Sequence, residues 1–145
     1  MNGLVPPEGT TERWAHDYVT SDLLVHKLAP PELPKVWEDK PPVRRLENPG
    51  RPSGLRVVVR APKAPGPDAI RDPARRAELV HTFLHHELQA AELMCWALLA
   101  FPEAPRAFKR GLLRITHDEI RHMNMYLEYM KTLGHSFGET NTCLK

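Results

Sequence analysis

Proline divides this chain into two regions that must fold differently. Twelve of its 15 prolines precede Pro73, at Pro30, Pro31, Pro41, Pro42, Pro49, Pro52 and the run from Pro62 to Pro67 among other places. Each removes a backbone donor and clashes with the preceding helical turn, so long helices cannot form there. After Pro73 the next prolines are Pro102 and Pro105, and none follows. Asp72-Pro73 sets a capping carboxylate before a proline at the first helical position, where the missing N–H costs nothing. A long helix is therefore expected from Pro73 to the break at Phe101-Pro102-Glu103-Ala104-Pro105, with Pro105 opening a second that runs to about Leu133 and is capped by Gly134. So short a connection forces the two to lie antiparallel. The expected fold class is all-α: a helical hairpin over residues 73–138, preceded by a Pro-rich irregular wrap with short helices over 1–72 and followed by a tail over 139–145.

Within the wrap, Trp14, Tyr18, Leu24 and Leu28 fall near helical spacing, so one or two short helices are expected between Thr11 and Leu28. Leu55 to Arg60 reads as a short extended piece. Trp14, Tyr18 and Trp37 are expected to pack against the hairpin, making the wrap part of one domain, which is what 145 residues allow. The 20 Lys and Arg against 18 Asp and Glu leave a formal charge of +2, so no strong field favours nucleic acid or membrane as partner. Cys95 and Cys143 have no metal-knuckle or disulfide-framework spacing, and no leader or 18-residue apolar span is visible, which together suggest a soluble cytoplasmic protein.

The residues with the clearest chemical meaning are two acids and a histidine. On the first long helix Phe83 or Leu84, Glu87, Ala91, Met94 and Leu98 share one face; on the second, Phe108, Leu112, Ile115, Glu119, His122 and Tyr126 do. Carboxylates in apolar stripes need a partner, because an ionised group buried alone is very unfavourable. Glu119 and His122 stand one turn apart, and Glu87 lies at comparable depth on the antiparallel helix. This arrangement predicts a cation held by Glu87, Glu119 and His122, and hard oxygens with one imidazole suit Fe or Mn. Ferritin-like bundles use the same spacing, one Glu from each of two helices and a Glu-x-x-His from each of the other two.

The run from Phe83 to Phe101 (FLHHELQAAELMCWALLAF), with Asp118-Glu-Ile-Arg-His122 and Leu133-Gly134, resembles a bacterial ferritin-like family of uncharacterised proteins, from about Trp14 to Gly138. It is also similar in layout to bacterioferritins. The resemblance implies half of a four-helix bundle, with Glu87, Glu119 and His122 as ligands of a two-ion Fe or Mn site doing oxygen-dependent oxidation or hydroxylation of an unidentified small molecule. It further implies a second helix pair that this chain, ending at Lys145, does not carry; a homodimer about a twofold axis would restore six ligands. The competing expectation is a truncated, non-catalytic helical module that binds a partner through its uncovered apolar face.

Other residues carry weaker signals. His81 and His85 have the i,i+4 spacing of a zinc pair but no evident third ligand; one of them, or His86, is expected beside the metal ligands and the rest toward solvent or the wrap. Glu92 points away from Glu87 and is read as a partner-facing or structural carboxylate rather than a ligand. Tyr126 and the methionines Met94, Met123, Met125 and Met130 are read as packing, and Cys95 as an inert buried thiol.

Overall fold

A computed structural model describes residues 5–52 and 70–134 of the protein. Among the described residues it holds four helices, α1 (Thr11–Thr20), α2 (Leu24–Leu28), α3 (Pro73–Ala100) and α4 (Arg106–Thr132). The fold is all-α, and the only strand-like pairing among these residues is an isolated bridge between Thr10 and Val36. Leu55–Arg60 and the tail from residue 135 lie outside the described residues.

The helix limits follow the local chemistry. The Asp72 carboxylate accepts a hydrogen bond from the Ala74 N–H at 3.2 Å, and Pro73 sits at the start of α3. The Phe101–Pro105 break then reverses the chain, and α3 and α4 pack along each other as a hairpin. At the far end Gly134 takes a positive φ of 79°, which a side chain would resist, and its N–H closes onto the Lys131 carbonyl at 3.1 Å.

The two helices and the N-terminal segment share one core. Leu84, Leu88, Ala91, Cys95 and Leu98 of α3 meet Leu112, Leu113, Ile120, Met123 and Met130 of α4, while Trp14, Ala15, Tyr18 and Val19 of α1 close the other side of α3. Proline-rich chain has few amide donors, so its carbonyls need donors from elsewhere. The Trp14 indole donates to Pro31 O at 2.8 Å, the Trp96 indole to Leu46 O at 2.8 Å and Asn124 to Leu28 O at 2.9 Å. Gly50 is needed where the segment crosses α1: its N–H donates to Val19 O at 2.8 Å, and a Cβ there would lie inside the contact distance of the Thr20 carbonyl.

A buried ion triad fastens the segment to α3. Glu92 is 5% exposed and pairs with both Lys27, at 2.9 Å, and Arg51. Lys27 also donates to Val19 O at 3.0 Å, and the Tyr18 hydroxyl donates to Lys27 O at 2.9 Å. Burial pushes the Lys27 ammonium below the usual lysine value, and the Glu92 carboxylate opposes that shift. The expectation that Glu92 is structural agrees with this placement.

The buried arc of α3 is rotated from the one the apolar pattern suggests. It centres on Leu84, Leu88, Ala91 and Cys95, leaving Phe83 40% exposed; on α4, Phe108 and Ile115 are exposed as well. α1 packs on α3 beside the expected stripe, and His81, His85 and Glu92 are buried as well. The stripe bearing Glu87, Glu119 and His122 therefore forms the half-open edge of the hairpin.

Candidate metal centre

Three side chains from the two long helices converge at that edge. Glu87 comes from the middle of α3, and Glu119 and His122 from the middle of α4, three residues apart and on one face. One ligand atom of each lies within 4.8 Å of the others, the only such group of three or more among the described residues. His122 Nδ1 stands 3.6 Å from Glu87 Oε2 and 3.8 Å from Glu119 Oε2. These separations are too long for hydrogen bonds. Atoms bound to one ion at about 2.1 Å stand about 3.0 Å apart in a cis octahedral pair and about 3.4 Å in a tetrahedral one, so the side chains would have to draw together to share an ion. Two carboxylate oxygens and an imidazole nitrogen are a donor set that suits divalent iron or manganese.

Electrostatics favour an ion at this place. Two ionised carboxylates within 4.8 Å repel each other by about 1 kcal/mol at the dielectric of water and about 3 kcal/mol at the value typical of a protein surface. A divalent cation between them converts that repulsion into attraction. The side chains of Glu87 and Glu119 are 21% and 18% exposed and that of His122 is 45% exposed, so solvent reaches the group from the open side.

The surroundings on that open side are apolar. Phe83 lies one turn before Glu87, with its ring centroid 6.1 Å from that of Tyr126. Ile115 and Phe108 of α4 extend the exposed stripe beyond the acids, and Tyr129 continues it past His122.

The histidines near Glu87 in sequence do not join it. His81 and His85 are each 1% exposed, and their rings stand 4.6 Å apart by centroid. His85 is two residues from Glu87, which places it about 200° around the helix. The expectation that one histidine stands beside the expected ligands is not met by these two: both are buried away from the three converging side chains, and burial and the neighbouring His81 push the His85 imidazole down to about 3. His86 is exposed. His117 stacks on Trp14 at 5.3 Å. Met123 and Met130 fill the core as expected and Met94 packs against it, but Met125 is 63% exposed. Cys95 is fully buried against Thr116 Oγ1 at 3.7 Å, and burial pushes its thiol up to about 12, so it is inert as a nucleophile.

No helix among the described residues is long and apolar enough to cross a membrane. No curated protein and no solved structure matches the chain. The model of the family described as "Protein of unknown function (DUF455)" matches residues 10–143, a span that takes in the wrap from Thr10 onward, both long helices and all three converging side chains. The chain belongs to that family.

Proposed function

We propose that this protein is a ferritin-like di-metal carboxylate protein in which Glu87, Glu119 and His122 form one half-site and a second copy of the chain supplies the other. The observation that carries this reading is the convergence of the three donor atoms within 4.8 Å in the middle of an exposed apolar stripe. Pairing two hairpins through that stripe would bury Phe83, Phe108 and Ile115, close the bundle, and bring two such triads face to face. The bound ions, Fe or Mn, would supply oxygen-dependent oxidation or hydroxylation of a small molecule. The residues of the chain would do the rest. Glu87 and Glu119 would hold the ions and neutralise their charge, His122 would fix the coordination geometry from one turn away, and the apolar rim of Phe83, Ile115 and Tyr126 would limit the entry of water.

A second reading is pairing without metal, which the same apolar stripe favours on its own. Titration of Mn(II) followed by electron paramagnetic resonance separates the two. The six-line signal of free Mn(II) is expected to be absent until about one ion per chain has been added, with the bound ions giving the broadened spectrum of a coupled pair. A free-ion signal that rises from the first addition would remove the metal reading and leave the interaction module.

A further inference from the structure

We propose that the cleft between the N-terminal segment and α4 binds a small amphipathic organic anion, a flat apolar body carrying one carboxylate or phosphate group. The cleft has a volume of about 650 Å³, within the roughly 300–1,000 Å³ usual for small-molecule sites. Its walls are apolar, formed by Leu33, Pro34 and Trp37 on one side and Leu113 on the other. It is separate from the metal centre: His117, which lines it, is two residues from Glu119 and so about 200° away around α4.

The mouth of the cleft carries three cations against a single acid. Lys35, Arg110 and Arg114 line it and are exposed, and none of the three has an ion-pair partner among the described residues. Asp118 is the one acid in the lining, and its carboxylate already accepts from Arg121 at 2.6 Å. Arg106 and Lys109 add charge beside it, standing over the Trp37 ring at 4.4 and 5.9 Å. This arrangement costs the helix stability. Arg110 and Arg114 are like charges one turn apart, and the first turn of α4 has basic residues and no acid, against the helix dipole. An anion bound at the mouth would offset both penalties.

The walls are formed in advance of any ligand. Thr11 holds the Leu33–Trp37 wall to α1: its hydroxyl donates at 3.1 Å to Pro34 O or Val36 O, and its N–H donates to Val36 O at 2.7 Å. The Trp14 stack steadies His117 on the opposite side. A polyanion would need positive charge spread along an extended surface, whereas this charge rims a single concave apolar site, so a small ligand fits and a nucleic acid does not.

The test uses the full chain labelled with nitrogen-15, following the Trp37 indole signal, assigned with a Trp37→Phe variant. The probes are 2-naphthoate, 2-naphthyl phosphate and neutral 2-naphthamide. Saturable shifts of Trp37 are expected with at least one of the anions, the tighter of the two identifying the headgroup, and the amide should bind at least about tenfold more weakly. The double variant Arg110→Glu/Arg114→Glu should lose about tenfold or more in affinity for the anions, and Lys35→Glu on the opposite wall should act in the same direction. All three residues are exposed, so a thermal midpoint no lower than that of the parent is expected alongside. Equal binding of acid and amide, undiminished affinity in the charge-reversed variant, shifts confined to the Phe83–Ile115 face, or no saturable binding would each overturn the proposal.

Discussion

Replacing Glu119 by Ala is expected to weaken Fe(II) or Mn(II) binding by at least about a hundredfold, because loss of an outer partner of a metal ligand already costs about 10- to 100-fold and this change would remove a direct ligand of the proposed site. The same variant should lose no stability without metal. Glu119 stands within 4.8 Å of the donor atoms of Glu87 and His122 and accepts no hydrogen bond at normal distance from either. Its removal relieves carboxylate repulsion, so the metal-free variant should melt at or slightly above the temperature of the parent. Isothermal titration with metal, paired with thermal melts in a chelator, reads both effects. A variant that binds metal as the parent does would contradict the ligand assignment. A large loss of stability in the chelator would mean that Glu119 is a structural carboxylate instead.

Glu92→Ala should behave in the opposite way: a loss of about 3–5 kcal/mol of folding stability with no direct change at the metal centre. The Lys27 side chain is fully buried and that of Arg51 is 3% exposed, and both would be left facing a missing carboxylate. Neither cation can reach water without lifting the N-terminal segment from α3. The contrasting pair Lys131–Glu128 has the same charges at 3.1 Å, but its side chains are 59% and 73% exposed. Glu128→Ala should therefore change stability by no more than about 0.5 kcal/mol. Urea denaturation of the two variants side by side checks the contrast, and equal midpoints would show that the buried triad does not hold the segment in place.

Much of this architecture is legible in the sequence because it is written in local rules. Asp72-Pro73, the Pro102–Pro105 break and Gly134 mark the hairpin through backbone chemistry that acts over a few residues. Glu119 and His122 are three residues apart, and the antiparallel turn fixes which part of α3 they meet, so Glu87 can be matched to them before any coordinates exist. The Lys27–Glu92–Arg51 triad could not be found this way. Its members are 65 and 41 residues apart, and no periodicity links an isolated lysine in a short helix to an acid on a long one.

The rotation of the buried arc is illegible for a related reason. α3 is apolar on most of its circumference, so several faces satisfy the pattern equally, and the choice among them is made by α1 packing with Trp14 and Tyr18. Reading the helix alone puts Phe83 or Leu84 inside together with Glu87, whereas in the fold Leu84, His85 and Leu88 are buried and Phe83 and Glu87 lie toward the edge. The cationic cleft did leave a trace in the i,i+4 pair Arg110 and Arg114. Its apolar wall comes from residues 33–37, and only the fold brings the two together.

The central claim, that two copies of this chain assemble a shared metal centre, is tested most directly by measuring mass and metal content on the same sample. The full chain, produced with iron and manganese supplied, is passed through size-exclusion chromatography with light scattering, and the peak is taken for elemental analysis. The account predicts a particle of two chains carrying about two Fe or Mn ions. A particle that contains neither metal, whatever its mass, would contradict it.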